Sequence, residues 1–348
     1  MNSLNKYFFL LPLVFFLACE QEKPKEEAEQ KSVSKGLMSI DDRLTAIDKA
    51  IQANPTQSEL YRRRAELLME KKQPEQAVDN IKKAINLDSI DPQNHFVKAR
   101  IFKEINQFVP AIYACDDAIR HGFQGPGVNL LQAELFLGLR QYAKAKFQIN
   151  ETLKKDRFSS KGYVLLGILS YETGDTAKAI GSMETAIELD PLHADAYNTL
   201  AKIYLDQNNT LLAKEYLNSG LRLIPEESYM LYNMGVALLD ERNVDSALYT
   251  FQRAFRSDSS NYLSAYNAGI LLSEKDKPEE ANAYFKKVQL IRQDFENINF
   301  WMAENFRKLG DLKNESLYLR KTLYQDPENK KLKERLAKVE RELERIPN

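Results

Sequence analysis

Few residues in this 348-residue chain combine the type and spacing that chemistry needs. His95, His121 and His193 lack the spacing of a two-histidine metal helix and read as surface or loop residues. Cys115 lies in an apolar context and reads as a buried thiol acting as a small hydrophobe. No Walker loop, dinucleotide fingerprint, nucleophile elbow or zinc ribbon occurs, and Gly125-Pro126-Gly127 reads as a turn or loosened joint. Carboxylates are plentiful, but none forms a recognisable acid/base pair. The residues therefore imply no catalytic group, no cofactor and no metal. One further thiol, Cys19, differs in its setting.

Residues 1–18 read MNSLNKYFFLLPLVFFLA, with Lys6 as a positive n-region and an apolar run from Tyr7 to Ala18. That run is too short to span a bilayer as a helix and has the form of a secretory signal. Phe16-Leu17-Ala18-Cys19 resembles a bacterial lipoprotein box, which implies cleavage before Cys19 and acylation of its thiol. A plain signal peptide is the alternative. Residues 19–39 are then the lipidated Cys and a charged tether, too poor in apolar residues to offset the entropy of folding. Two or more acyl chains, at about 0.8 kcal/mol per buried CH₂, give durable anchoring. Lys25-Glu26-Glu27 resembles the acidic surface-export runs of some Gram-negative lipoproteins. These features imply a bacterial cell-envelope protein held at the membrane by lipid alone, at the outer membrane and facing the periplasm or the cell surface.

The rest of the chain must be helical. Gly numbers only 13, charged residues reach 28 % and hydrophobic residues 43 %. A formal net charge of −1 excludes nucleic-acid binding through bulk charge. Self-similarity is the strongest signal. Ala77, Ala111, Ala145, Ala179, Ala213, Ala247 and Ala281 recur at an unbroken interval, and twelve places earlier stand only small residues, from Ala65 through Gly167, Gly235 and Gly269 to Ala303. Cys115 falls where other units place Ile81, Ile149 or Phe251. The unit 160–193 carries Tyr163, Leu166, Gly167, Gly174-Asp175, Ala179, Ala186 and Pro191. The last unit repeats Gly310-Asp311 but has Glu315 at the Ala place.

This pattern resembles the tetratricopeptide repeat. The resemblance implies an all-α, right-handed superhelical α-solenoid of helix pairs, read as one elongated domain. A half repeat at 40–57 precedes eight units at 58–91, 92–125, 126–159, 160–193, 194–227, 228–261, 262–295 and 296–329. Residues 330–348 read as a capping helix whose stripe is Leu332, Leu336, Val339, Leu343 and Ile346, with a docking helix as the minority reading.

In the resembled family, first helices line a concave groove that takes peptides or helices. Carried over place by place, the groove is charged at its N-terminal end and apolar-aromatic over units six to eight. Its partner-binding residues are Tyr171, Tyr229, Tyr232, Asn233, Val236, Leu239, Leu263, Tyr266, Asn267, Ile270 and Phe300. Asn233 and Asn267 are placed to clamp an extended backbone, while Tyr at neighbouring places can instead pack on the next helix. Trp301 reads as a core residue near the cap. A clamp for a C-terminal carboxylate lacks its basic residues, because Asp240, Ser273 and Glu274 occupy the flanking places. The function implied is a non-catalytic protein–protein interaction scaffold. A self-assembling envelope module and an enzyme on a solenoid body are the alternatives.

Overall fold

A computed structural model describes residues 38–345 except 126, 294 and 296. The signal segment, Cys19, most of the tether and Ile346 lie outside the described residues. Eighteen helices and no strand occur among the described residues. The chain divides into two compact units, the first ending at Ile90 and the second starting at Asp91, where repeat arithmetic alone reads as one elongated domain. Each repeat contacts only its neighbours, so a solenoid can divide at any junction.

The first unit holds α1 (Ile40–Ala53), α2 (Ser58–Glu70) and α3 (Pro74–Leu87). Tyr61, Ala65, Leu68, Ala77, Ile81 and Ala84 form its buried interior. Helix α1 contributes no buried residue and is tied to its neighbours by polar contacts, Arg43 to Glu70 and Asp48 to Arg64, each at 2.7 Å.

The second unit pairs α4 (Pro92–Glu104) with α5 (Phe108–Arg120), α6 (Gly127–Gly138) with α7 (Tyr142–Lys155), and α8 (Ser160–Glu172) with α9 (Thr176–Leu189). It continues with α10 (Ala194–Asp206) and α11 (Thr210–Leu223), then α12 (Ser228–Asp240) and α13 (Val244–Ser257). The last pairs are α14 (Tyr262–Glu274) with α15 (Pro278–Ile291), and α16 (Ile298–Lys308) with α17 (Leu312–Gln325), followed by α18 (Lys330–Glu344).

Each helix pair turns in the same way. Lys72, Asn106, Arg140, Gly174, Asn208, Arg242, Asp276 and Gly310 all have positive φ. The next residue's N–H returns to a carbonyl five places back, as in Gln73 to Leu68, Asn243 to Leu238 and Asp311 to Phe306. This is a left-handed helix terminus that satisfies carbonyls left over at the helix end. Asp175, Asn209, Asn243 and Asp311 then cap the following helix through their side chains.

The helices fold back on their partners through small residues. Ala99, Ala133, Ala201 and Ala303 have no exposed surface and let backbones approach closely. Large side chains such as Met183, Phe251 and Phe285 fill the opposing space, also with no exposure. Within this unit most first helices also approach the first helix of the next pair, whereas second helices make no contact of that extent. The second unit is therefore an α-solenoid whose inner wall is built from first helices. Helix α18 closes its end: Leu332 and Val339 are buried, and Leu336 and Leu343 pack beside them.

Two local differences from the repeat arithmetic appear. Asn297 adopts a left-handed conformation with φ 65°, so α16 opens at Ile298 and is shorter than its counterparts. His95 is buried rather than superficial, and its ring stacks on His121 of the same repeat at 5.0 Å between centroids. Its Nδ1 lies 3.9 Å from Asp117 Oδ2 on α5, so the buried imidazole has a polar neighbour as well as the second ring.

Candidate partner-binding groove

The wall is set from the N-termini of its helices. Ser160 Oγ donates to the Ala186 carbonyl at 3.0 Å, and Ser228 Oγ donates to the Ala254 carbonyl at 2.8 Å. Asn261, buried at the start of α14, donates from Nδ2 to Ser228 Oγ at 2.9 Å while its Oδ1 caps Ser264 N. A hydrogen-bonded chain thus registers α12, α13 and α14 against one another.

The aromatic and amide residues of the wall bond across successive helices at a 35-residue step. Asn233 Nδ2 donates to Asn198 Oδ1 at 3.3 Å. The Asn267 amide and the Trp301 indole lie beside the phenols of Tyr232 and Tyr266, and each opposes the rise in pKa that burial gives the phenol. Tyr171 donates its hydroxyl to Asp206. Burial first, and then Asp206, pushes the Tyr171 hydroxyl up to about 12. Asn267 Nδ2 also reaches the Leu263 carbonyl on its own helix at 2.9 Å. Each asparagine therefore spends an amide hydrogen within the wall, Asn233 on Asn198 and Asn267 on the Leu263 carbonyl. Spacing at 34 residues hides this pattern; a comparison at 35 reveals it.

The remaining wall residues are distributed as follows. Tyr232, Val236 and Leu239 are half-buried against Phe251, Ala268 and Leu271. Tyr266 meets Phe295 edge-on at 4.8 Å and lies 6.0 Å from Phe285. Leu263 and Ile270 are half-buried, and Tyr229 is half exposed at 50 %. Phe300 stands apart from these. It meets Trp301 edge-on at 6.1 Å and lines a cavity of about 820 Å³ with Asn297, Leu332 and Lys331 at the end of the unit.

Charges on the wall differ by position. Glu134 on α6 receives Lys103 from α4 at 2.5 Å and Lys161 from α8. Burial raises its pKa, but the two lysines outweigh burial and hold the carboxyl below its usual range. Further along, Glu172, Asp206, Asp240 and Glu274 end α8, α10, α12 and α14, and all four are exposed. Three of them accept from hydroxyls: Glu172 from Tyr142 at 3.2 Å, Asp206 from Tyr171, and Asp240 from Thr210 at 3.4 Å.

Cys115 has no exposed surface, and burial, aided by Asp116, pushes its thiol up to about 12. Among the described residues no group of three or more His, Cys, Asp or Glu is arranged to hold a metal ion.

Comparison with known proteins accords with this geometry. Family models described as tetratricopeptide repeat match residues 58–91, 130–194, 170–232 and 232–294. The chain belongs to the tetratricopeptide-repeat family. The type IV pilus assembly protein PilF of Pseudomonas aeruginosa is 24 % identical over 147 residues, covering 41 % of this chain and 57 % of that protein. The match thus spans little more than half of the relative's length. A crystal structure of P. aeruginosa PilF superposes with a TM-score of 0.54 at 16 % identity, over 61 % of this chain and 97 % of that one. The APC/C hetero-tetramer Cut9–Hcn1 gives a TM-score of 0.57 at 16 % identity, over 86 % of this chain and 59 % of that chain. These likenesses show the fold.

Proposed function

We propose that this chain is a non-catalytic scaffold of the bacterial cell envelope, anchored through lipid on Cys19, that grips a peptide or helix of another protein along the inner wall of its second unit. The observation carrying this reading is the row of half-buried apolar side chains on successive first helices: Ile168, Leu205, Val236, Leu239 and Ile270. Each leaves an apolar edge open where its neighbours are packed, and a partner side chain would complete that burial. Tyr229 and Leu263 widen the same strip. The pilus-assembly role of PilF supports an envelope setting for this repeat array. The run ending in Ala18-Cys19 supports the anchor.

Photo-crosslinking side chains placed at Tyr229 and Leu239 test the groove in native membranes. A discrete adduct from these sites, absent with the same group at exposed Glu215 on α11, is the expected result. Equal adducts from all three sites overturn it. Metabolic labelling with a fatty acid tests the anchor, with Cys19→Ser expected to abolish incorporation.

A further inference from the structure

We infer that the segment gripped by this wall is basic along one edge and apolar along the other. The inference rests on the proposed groove and adds the chemistry of its occupant.

Glu172, Asp206, Asp240 and Glu274 occupy the last place of four consecutive first helices. Ile168, Val236 and Ile270 stand four places earlier than Glu172, Asp240 and Glu274. Residues four apart share a helix face. The carboxylates therefore border the apolar strip along one side. The hydrogen bond from Tyr171 to Asp206 shows that this border is continuous between α8 and α10.

The border is uncompensated. Among the described residues no Lys or Arg forms an ion pair with any of the four carboxylates. Elsewhere on the wall charges are matched: Glu134 by Lys103 and Lys161, Glu304 by Arg307 and Arg335, Lys308 by Asp276. Lys202 stands four places before Asp206, where the other three helices carry Ile168, Val236 and Ile270, and its amine lies 5.7 Å from the centroid of the Tyr171 ring. Fields from unpaired like charges add within a cleft and favour a counter-charged ligand. A partner with acidic residues on that edge would meet repulsion instead.

Rung spacing adds a sequence rule. Neighbouring helices pack about 8–10 Å apart. A polyproline II chain advances about 3.1 Å per residue and brings every third side chain to the same edge. An occupant of that form running along the wall therefore presents a basic residue at about every third position.

The test uses labelled peptides of about fifteen residues, long enough to pass the four rungs. One carries Lys at every third position among Val and Leu. The others replace Lys with Glu or with Gln. Binding to the full chain is read by fluorescence anisotropy. The Lys peptide is expected to bind at least about tenfold tighter than the Glu peptide at low salt, with the difference shrinking near 0.5 M salt. The double variant Asp240→Lys/Glu274→Lys, which leaves two carboxylates against two lysines, is expected to abolish the preference while helical content stays unchanged, since cations suit helix C-termini. Equal binding of the Lys and Gln peptides, unaffected by the double variant, overturns the charge assignment and leaves the groove standing. Failure of every peptide to bind overturns both.

Discussion

A Cβ placed on Gly235 would stand 2.6 Å from Cε1 of Phe251, a ring with no exposed surface. Gly269 meets Phe285 at 2.7 Å and Gly167 meets Met183 at 2.6 Å in the same way. Where the facing side chain is shorter, as with Ile81, Cys115, Ile149, Leu217 or Leu319, the repeat carries Ala65, Ala99, Ala133, Ala201 or Ala303. The reach of one side chain is thus matched to the space left by the other, and the small place is tuned rather than merely small.

Gly235→Ala is expected to destabilise by about 1–3 kcal/mol, because Phe251 is enclosed and cannot swing away. Adding Phe251→Leu should recover part of that loss, with a coupling of about 1 kcal/mol or more. Urea midpoints of the two single variants and the double variant measure it. Additive effects would show that the two residues do not share one volume.

Glu315 breaks the alanine ladder, and the structure accounts for the exception. It is 2 % exposed, and Arg335 of α18 reaches it at 2.7 Å while also meeting Glu304 and the Ala303 carbonyl. Arg335→Leu is expected to cost about 3–5 kcal/mol by leaving a buried carboxylate unpaired. Adding Glu315→Ala removes that charge and should restore most of the loss. Thermal melts of the pair decide this; equal melting of the single and double variants would count against the pairing.

What the sequence revealed follows from what a repeat conserves. A 34-residue step records the places that fix the backbone: Ala179 and its counterparts, the small places and the apolar stripe of α18 were all legible. The fold class followed from them. Contacts between successive repeats run at 35 residues, so the bonds of Asn233 with Asn198 and Tyr171 with Asp206 do not show at a step of 34. The turn carries glycine at Gly174 and Gly310, yet Lys72, Arg140 and Arg242 adopt the same left-handed conformation without it. Stacking holds them there against a steric cost that sequence preference alone would weigh against. His95 was misplaced because its burial depends on His121, twenty-six residues away. The acidic border reads in the sequence only as scattered charges, since it takes shape when four helix ends are brought side by side.

Cys115 should be inert to thiol reagents in the folded protein at pH 8, since burial holds its proton. It should react on unfolding in urea. In addition, the thiol's pKa is about 12 folded against 9.0 for the unperturbed group. The unfolded chain releases this proton first, so stability should fall as pH rises above 9.0 and level off near 12. Cys115→Ala should flatten part of that slope, with the buried tyrosines supplying the rest. Fast labelling of the folded chain would contradict the burial.

Glu134 should govern the acid limb instead. Lys103 and Lys161 hold its folded pKa below the model-compound value of 4.5. The group therefore stabilises the fold fully at neutral pH, and that contribution is lost as pH falls below 4.5 and through the folded pKa. Glu134→Gln is expected to cost about 1–3 kcal/mol at pH 7, because two charge-assisted hydrogen bonds are lost and two lysines are left facing each other. The same substitution should cost progressively less as the pH falls through the folded pKa and the native carboxyl takes up its proton. Chemical denaturation across that range separates these cases: an equal loss at every pH would mean that Glu134 acts through packing rather than through its charge.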